Sequence, residues 1–164
     1  MHSFSVSRDI PHTPQRVWAL MDNFADIWIY NPNVRHSESL NGQQSGLGAE
    51  RLCVLYDDNE VQERVTEHNA DAMRQRVEVY GFGNMPMTKM DIEIRVEPTP
   101  SGSRVTIEGA FQPKFGVAGW VLAKTVMVGQ FQKAIDKLIL GADQHLASGR
   151  IIEKGGALGA PLAA

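Results

Sequence analysis

An arginine and a glutamate, Arg51 and Glu63, are the pair in this chain best suited to chemistry on a carbonyl group. They sit in two runs, 48–56 and 60–68, that flank the tight Asp57-Asp58-Asn59 connection, so the sequence predicts an antiparallel hairpin. What they can do depends on register. With Cys53 opposite Glu63, the residues Arg51, Cys53 and Leu55 share a face with Val61, Glu63 and Val65. A slip of one residue substitutes Leu52, Val54 and Tyr56, and apolar patterning alone prefers that second register. If Arg51 and Glu63 face a semi-apolar interior, each is desolvated and each holds the other charged. Glu63 could then take a proton from a bound ketone while Arg51 stabilises the enolate. The competing reading is a structural ion pair, or two solvated strand residues.

Other polar groups are weaker candidates. Lys124 lies within an apolar helical stripe between Trp120 and Phe131, where it either meets a ligand acid or snorkels outward. His36 shares its predicted face with Val34 and Leu40, which makes it either a cavity group titrating near neutral pH or a satisfied strand histidine. Cys53 has no sequence companion that would activate it, and a buried inert thiol is the simpler reading. The histidines at 2, 12, 36, 68 and 145 lack zinc-site spacing, and Gly46-Leu47-Gly48 opens a strand rather than a helix. Neither a metal nor another cofactor is expected.

These groups need elements to hold them. Apolar residues recur with helical period through 116–149, from Val117 and Trp120 through Met127, Val128, Phe131, Ile135, Leu138, Ile139, Ala142 and Leu146, with Gly149 at the C-cap position. Ahead of this helix the chain alternates with period two. Strands are predicted over 3–10, 34–40, 48–56, 60–68, 73–80, 89–97 and 104–112. Two short helices fall between the first two strands: one opens at Thr13-Pro14, and the other runs 24–28 and breaks before Asn31-Pro32. In the second strand Val34, His36, Glu38 and Leu40 are assigned one face. Val79, Ile92 and Ile107 fall on the inward face of the later strands. The glycine-rich, apolar 81–87 loop could move. After Gly149 the glycine-rich residues to 164 read as a flexible tail. The fold class is therefore α+β, with one antiparallel sheet around one helix, a single domain over 1–148 and a tail over 149–164.

The totals agree with one domain. The chain has 164 residues, of which 43% are hydrophobic, enough for a sizeable core. A net charge of −3, with Lys and Arg scattered, supplies no field for nucleic acid. One cysteine excludes an intramolecular disulfide framework, and the N-terminus lacks a basic-then-apolar leader, so a cytoplasmic location is the expectation. No apolar run reaches the ~18 residues of a membrane span. A monomer or weak homodimer is expected.

The order of strand, two short helices, six strands and long C-terminal helix resembles the START-like (SRPBCC, Bet v 1-like) superfamily with its helix-grip fold. Its polyketide cyclase/dehydrase and lipid-transport branch is the nearest in pattern. The likeness rests on Val17-Trp18 followed by Asp22 and Phe24, on Trp28-Ile29-Tyr30-Asn31-Pro32, on Gly48-Ala49-Glu50-Arg51, on Glu63-Arg64-Val65, on Tyr80 and Pro86, and on the closing helix. It implies a curved seven-stranded antiparallel sheet enclosing a cavity for a small hydrophobic or aromatic molecule, an aromatic polyketide or a lipid. It also implies that Arg51 and Glu63 face inward, against the register preferred by patterning, and that the loop at Met85-Pro86-Met87 covers the cavity. Trp28, His36, Cys53, Val79, Met85, Met87, Ile92, Ile107, Trp120, Lys124 and Met127 are the candidate ligand-binding residues. Two alternatives follow from the same resemblance: a cofactor-free aromatic polyketide cyclase or dehydratase acting through Arg51 and Glu63, and a cofactor-free accessory module that docks on another protein.

Overall fold

In the computed structural model, which describes residues 1–163, nine strands and a broken long helix follow one another in nearly the predicted order. Strands β1 (His2–Ile10), β2 (Val34–Ser39), β3 (Glu50–Leu55), β4 (Glu60–Asn69), β5 (Arg74–Gly81), β6 (Met87–Thr99) and β7 (Gly102–Pro113) form one antiparallel sheet in the order β1-β7-β6-β5-β4-β3-β2. Alternation sets which side is dry. Val77 pairs with Ile92, Val79 with Met90 and Ile94 with Ile107, and these apolar residues face the helix. The outer side carries a ladder of ion pairs, among them Arg76 with Glu67 and Glu93, and Arg95 with Glu93. Such exposed pairs add little stability individually, but they keep that side of the sheet wet.

Between β1 and β2 the chain makes α1 (Pro14–Asp22) and a short 3₁₀ helix (Phe24–Ile29). Thr13 caps α1 by accepting a hydrogen bond from the Arg16 N–H at 3.4 Å, and Pro14 presets the first turn. The buried face of α1 is Val17, Trp18, Leu20 and Met21, as its spacing predicts.

The long helix runs as α2 (Gly116–Leu122), a π-helical turn (Ala123–Met127) and α3 (Val128–Ser148). Gly149 ends it with φ 68°, donating its N–H to His145 O at 2.8 Å, the glycine stop expected from the sequence. Close approach fixes where α3 lies. A Cβ on Gly141 would stand 2.1 Å from Tyr30 O, so only glycine lets the helix touch the backbone behind the 3₁₀ segment. Gly141→Ala is expected to lower stability by about 1–3 kcal/mol through forced displacement, visible as a reduced urea midpoint, despite the better helix propensity of alanine.

Two expectations need correction. His36 and Glu38 do not share the buried face with Val34, because a bulge between Val34 and His36 shifts the register against β3. Val34 and Ser37 are buried, while His36 turns outward. The residues after Gly149 do not form a loose tail either. β8 (Arg150–Ile152) and β9 (Leu158–Pro161) make a hairpin, with Ile152 buried and Arg150 Nε donating to Gly159 O at 2.7 Å. Its glycines are turn residues: Gly155 and Gly156 take φ values of 71° and 88°. His145 Nδ1 lies 2.7 Å from Arg150 O, which ties the hairpin to the last turn of α3.

Candidate functional site

The hairpin settles on the face that patterning alone disfavoured. Arg51 and Cys53 of β3 and Val61, Glu63 and Val65 of β4 are all buried. The partners differ from the expected pairing by two residues: Glu63 stands opposite Arg51, and Cys53 opposite Val61. Both charges therefore enter the interior side by side.

Their contacts are short and specific. Arg51 Nε donates to Glu63 Oε2 at 2.5 Å, and Arg51 Nη1 donates to Phe24 O at 2.7 Å. The guanidinium also lies over the Phe24 ring, 3.9 Å from its centroid. Cys53 Sγ donates to the same Glu63 Oε2 at 3.6 Å. Two of the five guanidinium N–H donors are thus engaged, and Glu63 Oε1 takes none of these bonds. Burial works against the Arg51 charge, yet Glu63 beside it holds its pKa above the ordinary value. Burial pushes the Cys53 thiol up to about 12, and it also pushes the neighbouring Tyr30 phenol up to about 12. At neutral pH the thiol and the phenol are therefore both neutral beside the Arg51–Glu63 ion pair.

Arg51, Cys53 and Glu63 form one wall of a cavity of about 190 Å³ between the sheet and α3. Val79, Ile92 and Ile107 line it from the sheet, Met85 from the loop before β6, and Phe131, Ala134 and Leu138 from α3. Asn31 and Asn33 close it beside Ile27. Asn33 Nδ2 bridges Asn31 Oδ1 and Ala134 O, each at 2.9 Å, and so pins the turn to the helix.

Of the residues singled out in the sequence, Arg51, Glu63, Cys53, Val79, Met85, Ile92 and Ile107 are brought together around this space. The others are not. Met87 and Met127 are buried in the general core. Trp28 borders a separate groove of about 350 Å³ with Arg35, Tyr56 and the C-terminal hairpin. His36 is on the outside, its side chain 55% exposed and its ring 6.2 Å from Trp28. Trp120 and Lys124 are exposed on the first half of the long helix, with Lys124 Nζ 5.5 Å from the Trp120 ring centroid. Sequence reading chose the wrong half of that helix. Phe131 and Leu138 were visible in its apolar stripe, but Ala134, Asn31 and Asn33 carried no signal of their own.

A curved antiparallel sheet that grips a C-terminal helix over an apolar cavity, with two short helices between its first strands, defines a START-like helix-grip protein. The chain belongs within that class to the family described as polyketide cyclase / dehydrase and lipid transport, which matches residues 1–140. Solved structures share the architecture. XoxI from Bacillus cereus is 19% identical, with 90% of this chain and 97% of that chain covered and a TM-score of 0.75. A protein of Thermus thermophilus is also 19% identical, covering 90% and 98%, with a TM-score of 0.73. Ara h 8.0201 is 15% identical, again covering 90% and 98%, at 0.71. At such identities the likeness is one of fold. No curated protein matches the chain.

Proposed function

We propose that this protein binds a small, largely apolar molecule bearing one oxygen function in the space between sheet and α3, with the oxygen directed at Arg51. The observation that carries this reading is the cavity itself: apolar on nearly every side, with a buried guanidinium and carboxylate on one wall. Its volume of about 190 Å³ sets the scale of the guest. An apolar hole of roughly 150 Å³ takes up benzene, so one or two fused rings fit without rearrangement. Affinity comes from removing ring surface from water at about 25 cal/mol per Å², and orientation from the remaining Arg51 N–H groups.

The test is binding of α-tetralone, a two-ring ketone, followed by native mass spectrometry and calorimetry. Ala134→Leu grows a side chain into the cavity from a helical position that tolerates leucine. It is expected to weaken binding at least about tenfold while leaving the unfolding midpoint unchanged or raised. Equal affinity in wild type and variant would remove the reading.

A second reading, acid/base catalysis on a bound polyketide, is favoured by Glu63, which lines the same cavity and whose Oε1 takes no part in the bonds from Arg51 and Cys53. Glu63→Gln is then expected to abolish enolate formation, read as loss of deuterium exchange at the ketone's α-carbon, with ligand affinity within a few-fold. An accessory module without a guest calls for a filled interior, and the cavity speaks against it.

A further inference from the structure

The first half of the long helix has an unusual surface. Among the described residues thirteen large apolar side chains are exposed, and six of them, Phe115, Val117, Trp120, Val121, Leu122 and Val126, fall within residues 115–126. Phe115 is 76% and Val117 83% exposed. Only a narrow stripe of Gly119, Ala123 and Met127 is buried against the body. Gly119 packs on the turn that leads into its own helix, where a Cβ would meet Lys114 O at 1.8 Å. A surface helix ordinarily presents charge on its far side, and one that is apolar all round belongs in an apolar medium.

Charge indicates which medium. From Gly109 to Ile135 the sequence carries Lys114, Lys124 and Lys133 and no acidic residue, in a chain whose net charge is −3. Two copies meeting through this patch would place lysines against lysines, with no carboxylate in the segment to answer them. An anionic lipid surface answers them, and tryptophan with lysine beside it is the pair that sits well at headgroup depth. Lys124 already lies over the Trp120 ring, so both can be seated together.

We infer that residues 115–126 form a lipid-surface docking element: Phe115, Trp120, Val121 and Leu122 enter the interface while Lys114 and Lys124 contact anionic headgroups. Contact is peripheral, since no helix among the described residues is long and apolar enough to cross a membrane. The element rests on the outer surface alone and does not depend on what the cavity holds. It does place the helix that continues into the cavity wall, at Phe131 and Ala134, beside the bilayer.

The full chain is incubated with sucrose-loaded vesicles of phosphatidylcholine alone or mixed with phosphatidylglycerol, then sedimented. Partition to the mixed vesicles is expected, with a blue shift of tryptophan emission and a quenching by brominated acyl chains that Trp120→Ser removes, since Trp18 and Trp28 remain in that variant. Trp120→Ser combined with Leu122→Ser is expected to lower partition at least about tenfold, the scale of one large side chain withdrawn from the interface. Lys114→Gln with Lys124→Gln is expected to remove the preference for anionic vesicles. Both double variants alter exposed residues, and unchanged circular dichroism melts verify their folding. Absence of partition, or equal partition by the serine variant, overturns the inference. So does a concentration-dependent dimer of the wild type that the serine variant abolishes, which would assign the patch to a second copy.

Discussion

Arg51→Met is expected to destabilise the protein by about 3–5 kcal/mol at pH 7, measured by urea denaturation, because it strands the Glu63 carboxylate in the interior without its partner. Both side chains are nearly excluded from solvent, at 6% and 11% exposure, so water cannot take over the lost interaction. Phe24 O loses the guanidinium as a donor in the same substitution, which adds the cost of one buried hydrogen bond. The companion variant separates charge from packing. Arg51→Met combined with Glu63→Met removes both desolvated charges and is expected to recover most of the loss, since an apolar pair of similar volume is often neutral or stabilising relative to a buried ion pair. A single variant costing under about 1 kcal/mol would mean that the pair is not desolvated. A double variant no better than the single would mean that the damage lies in shape. If recovery is large, stability is not the reason for keeping the pair, and recognition of a guest is left as its use.

The layered plan of this molecule was legible from periodicity. The seven-stranded sheet, the two short helices and the glycine stop of the long helix all follow from alternation, a threonine cap and Gly149, each a local preference that tertiary packing reinforced. The hairpin face was not legible from pattern, because burying Arg51 and Glu63 violates the rule that the apolar set faces inward. The resemblance to a family of cavity proteins gave the right face where hydropathy gave the wrong one. His36 failed for a different reason: one bulged residue reverses every later side chain in a strand, and nothing in Val34-Arg35-His36 announces it. The C-terminal hairpin failed because glycine means flexibility in one context and a left-handed turn in another, and Gly155-Gly156 is the second case. Trp120 and Lys124 failed because their spacing matched a buried stripe, while only Gly119, Ala123 and Met127 are buried on that half of the helix.

Alkali is expected to unfold this protein earlier than its surface charges alone would suggest, and Cys53 and Tyr30 are the cause. Burial raises the thiol from 9.0 to about 12 and the phenol from 10.0 to about 12. In the unfolded chain both ionise at their ordinary values, so above pH 9 the folded state binds more protons than the unfolded state, and stability falls as pH rises. Below pH 9 both groups are neutral in either state and their contribution is whole. It declines at about 1.4 kcal/mol per pH unit for each group past its unfolded pKa, until the folded pKa is reached near 12. At pH 11 the two together withdraw roughly 4 kcal/mol, a large share of the ~5–15 kcal/mol that a domain possesses. Urea midpoints at pH 8, 9, 10 and 11 test this, with Cys53→Ala isolating the thiol. The variant starts lower, having lost the sulfur's packing and its bond to Glu63 Oε2, but between pH 9 and 10 it is expected to stay nearly flat while the wild type falls. Parallel curves would show that Cys53 ionises as readily in the folded protein as in the unfolded chain, and a thiolate able to form beside Glu63 would mean that water enters the cavity freely.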